Sequence, residues 1–363
     1  MFKLGLILGT RPDIIKMSPI IKEVIKRQLP HFIIHSGQHY SHSMDEVFFK
    51  DLNLPEPHFR LKKYPHSIDR PRKHIVKMQK EFEKIFSVNG LTDIITYGDT
   101  NTTLASAFAA KVLGLRLYHV EAGLRSGNIE MVEELNRILV DRVSDILFAP
   151  TEHCMTNLES EDSNIQKNYL SGNTISDVLY EEIKTIKHTT NPENFAILTL
   201  HRPELIDDKE NFERVFSSIL KVLKSNDIKI KFFTHPRVKE KKFINKFRDQ
   251  KSFFIADSIG YKEFIKELIS CKLVITDSGG LQEESCILKK PCITVRSDTE
   301  RPESIQCGAN SLCDPFEKNF EVNLNQLVLE KTNEKPNWVS PYGDGKSSIY
   351  ILDTIEKYIK NKP

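Results

Sequence analysis

The sequence predicts an α/β protein of two domains, each built on a parallel sheet. Three observations predict it. Short β-rich runs alternate with longer helical patterns, as βαβ units require. That alternation runs through the first half of the chain and starts again in the second. Nearly every strand candidate also ends in glycine, histidine or charged residues that packing does not call for. At 363 residues the chain is long enough to bury two cores.

The elements follow in order. Leu4–Leu8 reads as a strand, followed by a loop and a helix near Ile14–Arg27. Phe32–His35 is a second strand and Asp93–Tyr97 a third. A Gly-Asp-Thr loop then leads into an Ala-rich helix over Thr102–Leu113. Leu115–Val120 is a strand and Val132–Ser144 a helix. In the second half, Ala196–Leu200, Lys229–Thr234 and Leu273–Thr276 read as strands. Phe212–Lys224, Tyr261–Ser270 and Gly280–Leu288 read as helices, and an amphipathic helix near Ser347–Lys360 closes the chain. A domain boundary is expected near Leu170–Asn173, and Lys331–Gly345 is rich in Asn, Lys, Pro and Gly.

Composition narrows the function. Lys and Arg number 52 against 50 Asp and Glu, a net charge of +2. That balance is no footprint for nucleic acid or a polybasic membrane anchor, so an anionic ligand must be held by local donors. The opening MFKLGLILGTRPD is too short for a signal peptide, and no run reaches the roughly 20 apolar residues of a membrane span. Six cysteines without a C-x-x-C pair read as free thiols in a reducing compartment, so a cytoplasmic location is expected. His35, His39 and His42 have helical spacing, but Gly37 and the strand context spoil metal geometry, and no metal is expected.

The strand ends carry the chemistry. They read Gly9-Thr10-Arg11-Pro12, Gly37-Gln38-His39, Gly98-Asp99-Thr100 and His119-Val120-Glu121-Ala122-Gly123 in the first half. In the second they read His201-Arg202, His235-Pro236-Arg237 and Asp277-Ser278-Gly279-Gly280. Ligands of open parallel sheets bind outside the carboxyl ends, so two loaded sheets facing each other would make one deep cleft. Asp277–Gly280 combines close backbone approach with a helix start, which suits a diphosphate, and Glu284 one turn later suits ribose hydroxyls. It is neither G-x-G-x-x-G nor a Walker loop. Asp99 or Thr100 could equally be a simple helix cap. Glu133 and Arg137, four apart, could be a surface ion pair.

Taken together, these residues resemble the non-hydrolysing UDP-N-acetylglucosamine 2-epimerase family. The resemblance adds Leu124-Arg125, Glu133-Glu134 with Asn136-Arg137, Gly172-Asn173-Thr174, and Gln282-Glu283-Glu284. Thr299-Glu300-Arg301-Pro302-Glu303 and Pro341-Tyr342-Gly343-Asp344-Gly345 complete the series, which runs the length of the chain in order. It implies a GT-B-like pair of Rossmann-like domains over 1–170 and 171–346, with the ligand cleft between them. A C-terminal helix over 347–363 would pack back on the first. It implies epimerisation of UDP-N-acetylglucosamine at C2 by elimination and re-addition of UDP, with no cofactor, in a homodimer serving polysaccharide biosynthesis. It implies Asp99, Glu121, Glu133 and His201 as acid/base candidates. Arg11, Lys16, Arg137, His235, Ser278, Gly279, Gly280, Glu284, Arg301 and Glu303 would bind or position the ligand.

Four departures stand out. Asp13 replaces the usual Glu, Met131-Val132 precedes Glu133 where Pro is usual, and Leu205 stands where Asn is common. Tyr40-Ser41-His42 is unlike the pattern tied to a second, activating UDP-sugar site. Other readings stay open: the same chemistry on a UDP-2,3-diacetamido uronate, a hydrolysing 2-epimerase, a glycosyltransferase, or a non-catalytic nucleotide-sugar sensor.

Overall fold

The apolar runs pair side by side in parallel and bury both faces under helices, which is why β1 (Leu4–Leu8) is apolar without alternation and wholly buried. The computed structural model describes residues 2–37, 42–62, 71–161, 167–186, 193–234, 238, 252–256, 259–333 and 335–361, without the side chains of 42–46 and 71–73. The chain divides into two units, one formed by Met1–Tyr180 with Tyr342–Pro363, the other by Glu181–Pro341. The sequence places these borders at 170/171 and 346/347; the first observed border falls ten residues or so later, inside a helix.

The first unit continues with β2 (His31–His35), β3 (Phe59–Arg60), β4 (Asp93–Tyr97), β5 (Arg116–Val120), β6 (Ile146–Ala149) and β7 (Lys167–Leu170). Its helices are α1 (Arg11–Lys26), α2 (His42–Asp51), α3 (Pro71–Val88), α4 (Asn101–Val112), α5 (Val132–Val143), α6 (Glu152–Ser160) and α7 (Thr174–Thr185). The sheet order is β3-β2-β1-β4-β5-β6-β7. Strand order reverses between β1 and β4, whose register pairs Leu4 with Asp93 and Leu6 with Ile95. That reversal is where such sheets hold ligands.

The second unit has α8 (Pro203–Ile206), α9 (Lys209–Ser225), α10 (Tyr261–Ser270), α11 (Gly279–Ile287), α12 (Pro302–Gln306) and α13 (Phe320–Asn333). Its strands are β8 (Phe195–Thr199), β9 (Lys229–Phe233), β10 (Phe253–Ala256), β11 (Leu273–Thr276), β12 (Cys292–Thr294) and β13 (Asn310–Leu312). They run β10-β9-β8-β11-β12-β13, all parallel, with the reversal between β8 and β11. An aromatic cluster of Phe212, Phe216, Phe232 and Phe253 fills the space between this sheet and α9. Among the described residues no helix is long and apolar enough to cross a membrane.

The last helix, α14 (Ser347–Lys360), belongs to the first unit and packs on α1. Arg27, the C-cap of α1, donates to Asp353 at 2.7 Å and to Glu356 at 2.8 Å. Its first turn is tied by buried Asp177 of α7, which accepts from the Ser347 and Ser348 amides at 3.1 and 2.9 Å and from the Ser348 hydroxyl at 2.7 Å. Removing that carboxylate strands donors that burial has taken from water. Asp177→Ala is expected to cost about 2 kcal/mol of unfolding free energy in a urea titration, and an unchanged midpoint would show that the tie contributes nothing.

Candidate active site

In the first unit, the residues singled out by sequence gather at the carboxyl ends of β1, β4 and β5. The β1 end turns straight into α1, because Thr10 and Asp13 form a capping box: the Asp13 carboxylate accepts from the Gly9 and Thr10 amides at 3.1 and 2.9 Å. Gly9 is required there, since a Cβ would run into the Thr102 side chain of α4. Arg11 opens α1 with its guanidinium 5.8 Å from the Phe48 ring centroid. Lys16, one turn on, is buried and reaches Glu121 beyond the end of β5, where its ammonium pairs with the carboxylate.

Glu121 is the least ordinary residue of the cluster. It is 7% exposed, and its φ of +70° lies in the left-handed region that non-glycine residues avoid. Such strain persists where surroundings over-determine it, and it concentrates at functional sites. The Tyr97 hydroxyl lies 3.1 Å from Glu121 Oε2 and 3.4 Å from Asn173 Oδ1, and can donate to one at a time. The Thr174 hydroxyl donates to the same Tyr97 oxygen at 3.3 Å. Tyr97 joins the site by geometry that its sequence position does not announce, and Asn173, noted in the sequence only within Gly172-Asn173-Thr174, gains a position beside it.

Asp99, in the turn after β4, accepts two bonds from Arg137 of α5, at 2.9 Å from Nε and 2.5 Å from Nη2. Arg137 also donates to Glu134 at 2.8 Å. The ion pair suggested by sequence between Glu133 and Arg137 is therefore built by its neighbour: Glu134 is buried, while Glu133 is exposed in the first turn of α5. Glu134 also accepts from the Ser126 and Gly127 amides at 3.0 Å. Burial opposes its ionisation, but those amides and Arg137 outweigh it and hold the carboxyl below its ordinary range.

Behind these groups, His119 ties two loops together. Its Nδ1 lies 2.6 Å from Asp141 and its Nε2 2.8 Å from the Gly98 carbonyl. Asp141 accepts as well from the Gly123 amide at 3.1 Å and from Arg125 at 2.8 Å. The turn bearing Asp99 and the loop bearing Glu121 are thus fixed to one buried carboxylate.

The second unit repeats the arrangement. Asp277, fully buried after β11, accepts from the His201 and Arg202 amides at 2.7 and 2.8 Å and lies 2.8 Å from His201 Nδ1. Burial opposes its charge, but the His201 side chain and the two amides hold it below the ordinary carboxyl range. The imidazole of His201 remains 36% exposed. Ser278 makes no side-chain cap bond at the start of α11, and Gly279 and Gly280 form the first two helical positions. Glu284 accepts from the Tyr261 hydroxyl at 2.9 Å. Arg301 lies against Gly279, where a Cβ would strike its guanidinium, and donates to Glu283 at 2.6 Å and Glu300 at 2.5 Å. Glu303 is buried in the first turn of α12. His235 lies outside the described residues, as do Gln38, His39, Pro236 and Arg237. Among the described residues no group of three or more His, Cys, Asp or Glu is arranged to hold a metal.

Asp13 titrates unusually. Burial pushes its carboxyl up to about 7, with the Asp99 charge adding to the rise and the Thr10 and Gly9 amides opposing it. A carboxyl raised on folding keeps a proton that the unfolded chain has already released, so its contribution to stability is present below about pH 4 and lost as pH rises towards 7. The unfolding free energy of the unaltered chain minus that of Asp13→Asn is expected to fall by about 3 kcal/mol between those limits, in urea titrations at each pH. A difference that stays constant would refute the shift.

Comparison with known proteins gives the same direction throughout. The family model for UDP-N-acetylglucosamine 2-epimerase matches residues 22–356. The UDP-N-acetylglucosamine 2-epimerase of Methanocaldococcus jannaschii is 41% identical over 96% of this chain and 98% of its own. The UDP-2,3-diacetamido-2,3-dideoxy-D-glucuronate 2-epimerase of Pseudomonas aeruginosa is 34% identical over 98% and 99%. A crystal structure of the M. jannaschii UDP-GlcNAc 2-epimerase in complex with UDP-GlcNAc and UDP superposes with a TM-score of 0.90 at 39% identity, covering 98% of this chain and 100% of that one.

Proposed function

This chain belongs to the UDP-N-acetylglucosamine 2-epimerase family, and from that premise we propose that it converts UDP-N-acetylglucosamine to UDP-N-acetylmannosamine without net hydrolysis. The observation that carries the reading is Glu121: a buried carboxylate on strained backbone, held by the side chains of Lys16 and Tyr97 at the carboxyl end of β5.

The chemistry asks for such a group. The C2 hydrogen is a very weak acid, and its removal needs a carboxylate held firmly in place at the sugar. Loss of that proton and departure of UDP with the C1–O electron pair leave a C1=C2 double bond. Re-addition of UDP to C1 and of a proton to C2 from the opposite face inverts the centre. No electrons are gained or lost, so no nicotinamide is called for. Proton traffic on both faces requires more than one acid/base group, and Asp99, Glu121, Glu133 and His201 fill those roles. The departing diphosphate needs cations and amides, not a nucleophile. Arg11, Lys16, Arg137 and His235 supply charge in this reading, and Ser278, Gly279 and Gly280 supply amides at a helix N-terminus. Glu284, steadied by Tyr261, accepts from ribose hydroxyls, and Arg301 and Glu303 shape the start of α12 beside them.

Proton NMR of UDP-N-acetylglucosamine with the enzyme in D2O is expected to show UDP-N-acetylmannosamine carrying deuterium at C2. No exchange would refute the reaction, and free N-acetylmannosamine would mark a hydrolysing enzyme. Faster exchange with the diacetamido uronate would move the substrate to that sugar. Glu121→Gln is expected to lower kcat about 10²–10⁴-fold with a smaller change in KM.

We also read the enzyme as a homodimer. Val132, Leu135 and Leu139 lie exposed along one stripe of α5, with exposed Ile129 just before it. A contiguous exposed apolar patch of that kind suits a subunit contact. Light scattering after gel filtration is expected to give twice the chain mass for the unaltered protein and the monomer mass for Leu135→Glu; a monomeric unaltered protein would end this reading.

A further inference from the structure

Cys286 and Cys307 bring two thiols together that the proposed reaction does not use. Cys286 lies on the buried face of α11, one residue before its end, and Cys307 is the C-cap of α12, where it is partly exposed. Their sulfurs are 3.7 Å apart. Cys307 Sγ also lies 3.3 Å from the Ser304 carbonyl, and the Trp338 indole fixes the Cys286 carbonyl at 2.9 Å. Closing the sulfurs to the roughly 2.0 Å of a disulfide asks for little movement between helix ends that are already in contact.

We propose that Cys286 and Cys307 form a dithiol site that exchanges with small-molecule disulfides and closes into an intramolecular disulfide. Cys307 is the entry thiol, because it is the more exposed of the two. A hydrogen bond from the Cys286 thiol holds it below the ordinary thiol range, which favours the attacking thiolate. The remaining thiols are poor competitors: Cys154, Cys271, Cys292 and Cys313 are buried, and burial pushes the last three up to about 12.

The exchange balances. The Cys307 thiolate attacks one sulfur of the small disulfide; that S–S bond breaks and one thiolate leaves, taking up the proton Cys307 has shed. Cys286 then loses its proton and attacks Cys307 Sγ, and the mixed S–S bond breaks to release a second thiol. Two protein thiols are oxidised and one small-molecule disulfide is reduced to two thiols. The bond ties the C-terminal ends of α11 and α12, whose opposite ends carry Gly279–Gly280 and Arg301–Glu303.

The test uses the full reduced chain and 2-hydroxyethyl disulfide, read by intact mass and peptide mapping. The unaltered chain is expected to lose about 2 Da with no adduct retained, to yield linked Cys286 and Cys307 peptides, and to regain its mass with a dithiol reductant. Cys286→Ser is expected to stop at a stable mixed disulfide on Cys307, and Cys307→Ser to leave Cys286 unmodified, with melting curves of both variants confirming that they fold. A lasting adduct on Cys307 of the unaltered chain, no reaction at all, or a bridge to another cysteine would each overturn the proposal. If a variant fails to fold, the peptide map of the unaltered chain decides alone.

Discussion

Backbone amides outside the carboxyl ends of buried strands lose water without gaining a ladder partner, and in this protein buried carboxylates accept them. Asp13 takes the amides after β1, Asp141 takes Gly123 after β5, and Glu134 takes Ser126 and Gly127 further along the same loop. Asp277 takes the amides after β8, and Asp177 takes those that start α14. At Glu134, Asp141 and Asp277 these donors and a neighbouring cationic side chain or imidazole outweigh the cost of burial and hold the carboxyl below its ordinary range, whereas at Asp13 and Asp177 burial wins and raises it. The loops at the strand ends are therefore fixed by hydrogen bonds to acceptors inside the fold.

Glu121 differs from these supporting carboxylates in its partners. Its bonds come from the Lys16 ammonium and the Tyr97 hydroxyl, both side chains. Amide donors cannot give up a proton in the reaction, whereas side-chain donors can exchange one or swing aside. Asp99 is held by two bonds from one guanidinium, that of Arg137. The carboxylates that build the loops thus take backbone amides, whereas Glu121 and Asp99 take side chains.

Much of this was legible in the residues. The strands β1, β8 and β11 are continuous or nearly continuous apolar runs, β4 and β5 each open on a charged residue, and β9 alternates lysine with apolar residues; each leads into polar residues, and the sequence reading finds each within a residue or so. What it passes over has physical causes. β12 and β13 hold three residues each, too few for any period, and β7 is the polar edge strand Lys-Asn-Tyr-Leu. The helix α3 did offer a signal in Ile75, Met78, Phe82 and Phe86, spaced three and four apart. Side-chain choice is harder. Glu133 and Glu134 are both within reach of Arg137 by helical spacing, and only the Ser126 and Gly127 amides select Glu134 for the interior. Arg301 is engaged by Glu283 and Glu300 and lies against Gly279, contacts that no sequence period signals.

The two units solve different electrostatic problems with one sheet topology. At its reversal point the first unit concentrates titratable side chains: Asp13, Lys16, Asp99 and Glu121. At its own, the second presents backbone, with two glycines opening α11 and the carboxylate of Asp277 turned back onto the His201 and Arg202 amides. Amides and a helix dipole give a diphosphate steady attraction that does not change with proton transfer. Mobile protons belong elsewhere, on side chains whose charge can alternate. The first unit thus meets its reversal point with side chains whose charge can change, and the second meets its own with backbone whose charge cannot.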